Sequence, residues 1–293
     1  MWILVTLTAA CFQIARTSEQ HRLREVLGVA EAGYVRFAYA FPIAATCSAL
    51  WFALQGSIPQ PGIEFWLWVL VAGMSQIAGT MALLHSFRLR DFAVGTIYSK
   101  TEVLFVSGAS LVLLGESIGW LGWFGAIICL AGVAALASRG QITSILSSGI
   151  DPAAWFGMAA AAGFAMAAVG IRGASSGLEG SAVDRAALTL TAMLGVQTLV
   201  QGLAIARSPT SSLRRVASAW RRAASVALLS LMGSAAWALA LSLENAAKVR
   251  TLGQIEIVLA FAIGISVHGE KHHRGEYVAG LATITGIVLI VVA

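Results

Sequence analysis

The fold is decided by two stretches of the chain, FAVGTIYSKTEVLFVSGASLVLLGE at residues 92–116 and AAKVRTLGQIEIVLAFAIGISVHGE at residues 246–270. Each is a mostly apolar segment of more than 20 residues, which is long enough to cross the hydrocarbon core of a bilayer as a helix. Each holds one glutamate near its middle, Glu102 or Glu256, and ends on a Gly-Glu pair. The two stretches therefore predict two related membrane helices that each bury a carboxylate.

The composition of the whole chain is also that of a membrane protein. Of its 293 residues, 58% are hydrophobic and 11% are charged, and the mean hydropathy is +0.82. A soluble domain carries about 25% charged residues. Continuous apolar segments favour helices over the alternating strands of an outer-membrane barrel. The predicted spans are residues 1–16, 30–54, 63–86, 92–114, 118–137, 152–171, 182–206, 224–243, 246–268 and 275–293.

An internal repeat relates the two halves of the chain. A displacement of 154 residues, the separation of Glu102 and Glu256, superposes residues 79–132 on residues 233–286 without a gap. Because each half has five predicted spans, an odd number, the second half enters the membrane inverted. The matched pairs are Gly79/Gly233, Ala82/Ala236, Leu89/Leu243, Ala93/Ala247, Glu102/Glu256, Gly115/Gly269, Glu116/Glu270 and Gly132/Gly286.

These observations predict an all-α membrane protein in which ten transmembrane helices form two inverted five-helix repeats around a central cavity. The first repeat is residues 1–138, the connector is residues 139–151, and the second repeat is residues 152–293. Inverted repeats of this kind are typical of secondary transporters, whose solute site lies between the halves near the midplane of the membrane.

Most of the Lys and Arg residues lie in the connections that follow spans 1, 3, 5, 7 and 9. The other connections carry few, among them Arg250. By the positive-inside rule, the basic connections face the cytoplasm and both termini lie outside.

The ionisable residues inside the spans are the candidates for binding a solute. A charge at the centre of a membrane helix costs about 2.5–3.5 kcal/mol on insertion scales, so each one requires a reason. Glu102 and Glu256 could bind an ammonium group or exchange protons, and Lys100 could bind a carboxylate. On a continuous helix Lys100 and Glu102 point about 200° apart and cannot line one face. Tyr98, four residues before Glu102, would share its face.

An alternative is that the two glutamates form buried salt bridges with Arg36 in span 2 and Arg185 in span 7. Under that hypothesis the charges hold the halves together and bind nothing. Polar residues elsewhere in the spans could line the cavity or join helices by hydrogen bonds. The residues predicted to bind the solute are Glu102, Glu256, Tyr98, Lys100, Gln254, His85, Trp237 and Gln76.

The Gly-Glu pairs, Gly115-Glu116 and Gly269-Glu270, are predicted to form tight corners between helices. Glycine allows the turn, and the carboxylate can accept hydrogen bonds from the free N–H groups of the next helix. This role is structural.

Signals for enzyme chemistry are absent from the sequence. His272 and His273 are adjacent and would point apart on a helix, the three cysteines lack metal-ligand spacing, and no Gly-rich phosphate loop opens a helix. The sequence predicts no catalytic residue, no metal and no cofactor.

Several short motifs resemble those of the EamA-type permeases of the drug/metabolite transporter superfamily. They are Tyr34-Val35-Arg36-Phe37, Leu113-Leu114-Gly115-Glu116, the run from Gly125 to Val133, Gly269-Glu270, and Gly280 to Ile287. The resemblance implies two inverted five-helix repeats, a cavity formed mainly by spans 1–4 and 6–9, and transport without ATP. It also implies cytoplasmic termini, which disagrees with the charge pattern and leaves the orientation open.

From the residues and the resemblance together we expect a secondary transporter that exports small polar metabolites such as amino acids by alternating access. We expect one chain to act as a monomer in the inner (plasma) membrane, with a small solute and the lipid bilayer as its partners and no nucleic acid. One alternative is a flippase-like carrier of lipid-linked head groups. Another is a membrane enzyme or sensor that uses the buried carboxylates.

Overall fold

The computed structural model describes residues 1–23, 27–89, 92–138, 152–209, 212–268 and 274–293. Over these ranges the chain forms fourteen α-helices and no β-strand. The helices are α1 (Trp2–Leu23), α2 (Val29–Ala38), α3 (Ala40–Gln55), α4 (Ile63–Leu89), α5 (Phe92–Ser99), α6 (Glu102–Leu114), α7 (Gly119–Ala137), α8 (Pro152–Ser176), α9 (Ala182–Ala206), α10 (Leu213–Ser218), α11 (Trp220–Leu243), α12 (Ala246–Leu252), α13 (Ile255–His268) and α14 (Arg274–Val292).

The helices confirm the predicted all-α membrane protein. In the described part of the chain, eight helical segments are long and apolar enough to cross a bilayer, and Trp2–Arg16 is a shorter apolar segment. Their side chains are apolar on all faces because lipid and protein neighbours both favour apolar surface. Three predicted spans differ from the prediction because each is two helices. They are 30–54 (α2 with α3), 92–114 (α5 with α6) and 246–268 (α12 with α13).

The described chain forms two compact units. Unit 1 consists of residues 1–73 and 170–243, and unit 2 of residues 74–169 and 244–293. Each unit takes helices from both predicted repeats, so the compact units do not follow the boundaries 1–138 and 152–293. The predicted connector, residues 139–151, lies outside the described residues.

Within unit 1, α11 packs against α1 and α9. Gly233 of α11 faces Phe12 of α1, where a Cβ would lie 3.4 Å from the Phe12 side chain. Near this contact the Trp237 indole donates to Gln13 Oε1 at 3.1 Å. One apolar core of unit 1 consists of Leu27, Ala32, Tyr34, Val35, Ile205, Val216, Ala223 and Val226.

Within unit 2, α7 packs along α14 through glycines that the repeat pairs with each other. A Cβ at Gly132 would meet the backbone and side chain of Thr283, and a Cβ at Gly286 would meet the backbone of Cys129. Since Thr283 is the repeat counterpart of Cys129, the two contacts are the same contact seen from either helix. The α7–α14 pair is therefore symmetric, as two copies of one helix related by a two-fold axis would be.

Candidate functional site

Both glutamate-bearing helices are interrupted at equivalent positions. The first interruption, at Lys100 and Thr101, separates α5 from α6. The second, at Gly253 and Gln254, separates α12 from α13. Tight i to i−3 hydrogen bonds close both turns, from Thr101 N–H to the Tyr98 carbonyl at 3.3 Å and from Gln254 N–H to the Thr251 carbonyl at 3.0 Å. A displacement of 154 residues superposes Lys100 on Gln254, and each of these two residues lies in the interruption of its helix.

The two glutamates follow these breaks and form ion pairs inside unit 2. Arg250 Nε of α12 donates to Glu102 Oε1 of α6 at 2.5 Å. Lys100 Nζ pairs with Glu256 of α13. Arg250 also interacts electrostatically with Glu256, so the four charges form one group. We refer to Lys100, Glu102, Arg250 and Glu256 as the ion-pair cluster.

The break corrects the expected geometry of the fourth span. The estimate that Lys100 and Glu102 point about 200° apart assumed a continuous helix, and the interruption at residues 100–101 removes that constraint. Both side chains therefore join the ion-pair cluster. Tyr98 loses its predicted helical relation to Glu102 for the same reason, and it packs against α8, where a Cβ at Gly157 would meet the Tyr98 Cβ.

The cluster also replaces the predicted alternative salt bridges. The described partners of the glutamates are Arg250 and Lys100. Arg36 is buried, with its guanidinium 4.9 Å from the ring centroid of Phe37. Arg185 donates to the Ser242 carbonyl at 3.2 Å. Within unit 2, the described bases of the two glutamates are therefore Lys100 and Arg250.

Each carboxylate takes its base from the opposite repeat, and the formal charges cancel. Pairing of this kind is needed because an isolated charge in hydrocarbon is costly. Glu102 has only 4% side-chain exposure, whereas Arg250, Lys100 and Glu256 retain 17%, 14% and 15%. The side chains of Arg250, Lys100 and Glu256 are thus less completely buried than that of Glu102.

Gln254, the repeat counterpart of Lys100, lies in the second break. Its side chain is buried, and its Nε2 donates to the Arg250 carbonyl at 3.4 Å. Arg250 and Glu256 lie within four residues of Gln254 in the chain, and both belong to the ion-pair cluster. The structure thus brings together four of the predicted solute-binding residues: Glu102, Glu256, Lys100 and Gln254.

The remaining predicted solute-binding residues lie elsewhere. His85 of α4 packs on Phe156 of α8, with ring centroids 4.8 Å apart. Gln76, also of α4, is half-buried, and its carbonyl accepts a hydrogen bond from Thr80. Trp237 belongs to unit 1.

The first predicted corner is present. Gly115 ends α6 with φ +67°, a conformation that favours glycine, and Glu116 N–H donates to the Ser110 carbonyl at 3.1 Å. At the start of α7, Gly119 N–H donates to Ser117 Oγ at 3.1 Å, so a serine makes a contact of the kind predicted for the glutamate. Gly269 and Glu270 lie outside the described residues.

Two residues beside the second break, Arg250 and Thr251, are not among the residues predicted to bind the solute. Arg250 was counted as a loop charge, although it falls within the predicted span 246–268. Applying to it the rule that intramembrane charges need partners would have placed it with the glutamates. Thr251 carries no comparable signal, because threonine is common in membrane helices.

A broad apolar groove of about 730 Å³ opens on the surface of unit 2 beside the first break. Phe105 and Val112 of its lining are exposed, so in a bilayer the groove faces the acyl chains. Its lining residues are Thr101, Leu104, Phe105, Gly108, Ala109, Val112, Leu113 and Met158.

The apolar helices, the symmetric packing of helices from the two repeats and the charged breaks define a multi-pass membrane protein with the fold of a transporter. Residues 1–138 match the EamA-like transporter family. This family is part of the drug/metabolite transporter superfamily. The resemblance seen in the short motifs is confirmed, and a general transport role follows from it.

One solved crystal structure, described only as that of a protein, has the same fold. It aligns with 99% of this chain and 97% of its own length, with a TM-score of 0.68 and 15% sequence identity. No curated protein matches the chain.

Proposed function

We propose that the chain is a secondary carrier of small zwitterionic metabolites, with amino acids as the first substrates to test. The observation that carries the proposal is the ion-pair cluster, which places two carboxylates and two bases at the breaks of two membrane helices. The carboxylates are suited to an ammonium group, and Lys100 and Arg250 are suited to a carboxylate. Because the cluster has no net formal charge, a neutral zwitterion can exchange with its internal pairs without adding charge to the membrane interior.

The proposal includes alternating access without ATP, export as the direction of flow, the inner (plasma) membrane as the location and a monomer as the active form. Broken helices that carry charged groups are a common device of secondary carriers, which bind the solute at the break. The repeat supplies both breaks within one chain, which supports a monomer.

The test is flux in proteoliposomes that contain purified protein and no nucleotide. Wild-type protein should move amino acids down their gradient faster than protein-free liposomes do. Glu102→Gln and Glu256→Gln should each lower the rate about tenfold or more, since each removes a charged hydrogen-bond acceptor. Glu64→Gln is the matched control, because Glu64 lies in the first turn of α4 and its carboxylate accepts from Trp68 of the same helix.

Two outcomes would contradict the proposal in different ways. Wild-type rates in both cluster variants would remove the ion-pair cluster from the transport site. No flux of any amino acid by the wild-type protein would remove the substrate class.

A second candidate function is the carriage of lipid-linked head groups between leaflets, which the apolar groove beside Thr101 favours. An acyl chain could occupy this groove while its head group reaches the cluster. A lipid-scrambling assay in the same liposomes separates the candidates: a carrier of soluble zwitterions leaves labelled lipids in their leaflet, and a flippase moves them.

A further inference from the structure

The break between α12 and α13 contains two buried oxygen atoms that have no hydrogen-bond partner within the described residues. They are Thr251 Oγ1 and Gln254 Oε1, and the two residues are 0% and 3% exposed. A buried polar atom is normally paired, because leaving it unpaired forfeits its hydration without replacement. Each of these atoms is therefore available to accept a hydrogen bond from a solute or from water.

The orientation of the Gln254 amide is determined by its neighbour. Its Nε2 donates to the Arg250 carbonyl, and only the NH₂ end of an amide can donate to a carbonyl. Exchanging the two ends would set two acceptors against each other. The unpaired end is thus the oxygen, which accepts hydrogen bonds and cannot donate them.

Thr251 differs from hydroxyl residues in three other helices of unit 2. Thr80, Ser107 and Thr283 each donate to the carbonyl four residues earlier, which is the usual way a membrane helix satisfies a hydroxyl. Thr251 makes no such bond. Gln254 N–H donates to the Thr251 carbonyl in a 3₁₀-type turn, and in such a turn the side chains at i and i+3 lie one above the other.

The two breaks differ in this respect. In the first break, Ser99 Oγ donates to the Thr96 carbonyl and Thr101 Oγ1 to the Tyr98 carbonyl. In the second break, Thr251 and Gln254 keep their oxygens unpaired within the described residues. Arg250 directly precedes Thr251, and Glu256 follows Gln254 by two residues, so two members of the ion-pair cluster lie in the same short stretch of the chain.

We propose that Gln254 and Thr251 form a hydrogen-bond-accepting subsite that binds the N–H groups of the solute's ammonium beside Glu256. The inference rests on the proposed carrier function and narrows its substrate class. A solute must present at least one N–H donor. A fully methylated ammonium carries the same charge but would leave both buried oxygens unpaired.

Glycine, sarcosine, dimethylglycine and glycine betaine test this directly, because they share one carboxylate and one positive charge while the number of N–H groups falls from three to none. Each is added as a competitor of amino-acid flux in proteoliposomes. With the wild-type protein, glycine should compete at least about tenfold better than glycine betaine, the effect of one unpaired buried acceptor.

Gln254→Leu and Thr251→Val each remove one acceptor oxygen while nearly keeping the shape of the side chain. Each should reduce the preference for glycine over glycine betaine to about threefold or less. Thr283→Val is the matched control, because Thr283 is equally buried and its hydroxyl is already bonded within its own helix. It should keep the wild-type preference. If one test variant fails to purify as a folded protein, the other still decides the question.

The remaining outcomes are distinguishable. Equal competition by glycine and glycine betaine in the wild type overturns the subsite and leaves the carrier intact. A wild-type preference that survives in both variants shows that the two oxygens bind only water, and also overturns the subsite. Failure of all four compounds to compete with a measurable amino-acid flux overturns the subsite alone, whereas the absence of any amino-acid flux overturns the substrate class and with it the subsite.

Discussion

Glu102 is the most deeply buried charge of the ion-pair cluster, and its described partner is Arg250 at 2.5 Å. Glu256 and its partner Lys100 are more exposed. A buried carboxylate that loses its base is left without compensation, whereas a more exposed one can be partly hydrated. The two pairs therefore differ in what their loss costs: the Glu102–Arg250 pair contributes more to stability, and the Lys100–Glu256 pair is more open to exchange with a solute.

Arg250→Gln should lower the free energy of unfolding by roughly 3 kcal/mol or more, because it leaves the buried carboxylate of Glu102 without its base. Lys100→Gln should cost less. Thermal unfolding of the purified variants in one detergent measures the difference. The double variant Glu102→Gln with Arg250→Gln should be more stable than Arg250→Gln alone, since it also removes the unpaired carboxylate of Glu102. If Arg250→Gln and Lys100→Gln lowered the free energy of unfolding equally, the ranking of the two ion pairs would be contradicted.

At the scale of elements, the closest helix contact of unit 2 is the crossing of α7 and α14. A Cβ at Gly286 would lie 2.6 Å from the Gly125 carbonyl oxygen and would also meet the backbone of Cys129. Backbone atoms cannot rotate away as a side chain can, so the helices must separate to admit a methyl group. Small residues that allow close approach are what hold membrane helices together when no hydrophobic effect acts between them.

Gly286→Ala should therefore destabilise the protein by about 1–3 kcal/mol, the usual cost of overpacking. Gly280→Ala is the matched control on the same helix, because a Cβ there meets nothing within 4 Å. It should be neutral or slightly stabilising, since alanine is the better helix former. Thermal unfolding of both variants decides the point, and equal melting temperatures would show that the crossing is not tight.

A second element depends on one buried carboxylate. Glu31 of α2 is fully buried, accepts from Ser212 N–H at 2.6 Å and from Gly28 N–H at 3.1 Å, and pairs with Arg215 of α10 at 3.0 Å. It thus joins the start of α2 to the short helix α10 within unit 1.

Glu31→Ala should cost about 1–3 kcal/mol for each buried donor left unpaired and should increase proteolysis near α10. Limited proteolysis with thermal unfolding measures both effects. Glu64→Ala, at the start of α4, should change neither. Unchanged cleavage in the Glu31 variant would show that α10 is held by other contacts.

At the scale of the whole molecule, the compact units and the sequence repeats are different divisions of the chain. Unit 2 pairs α7 of the first repeat with α14 of the second, and unit 1 pairs α1 with α11. Each repeat therefore lacks the helices that would cover its own packing surfaces. The cluster follows the same rule, because its pairs join residues 148 and 156 positions apart.

A chain split within residues 139–151 should not form two independent domains. Each half expressed alone should aggregate or be degraded, and co-expressed halves should copurify and bind the same solutes as the intact protein. Size-exclusion chromatography of the separate and combined halves checks this. A monodisperse, thermostable first half would contradict the interleaved arrangement.

The sequence by itself determined that this is a helical membrane protein, that it contains a repeat, and that Glu102 and Glu256 are equivalent. Hydropathy over about 20 residues is a local property that sets whether a segment enters the bilayer, and the repeat is visible because acids are rare in spans. The family resemblance could likewise be recognised from short motifs.

Only the tertiary structure decided where the spans break and which charges meet. A break exchanges backbone hydrogen bonds of one helix for contacts with others, so its position depends on neighbours that local hydropathy does not encode. The choice of Arg250 for Glu102, instead of Arg36, depends on helix packing between distant parts of the chain. The same non-local packing leaves Thr251 and Gln254 unsatisfied within the described residues, because a turn that breaks a helix redirects side chains that a continuous helix would have satisfied.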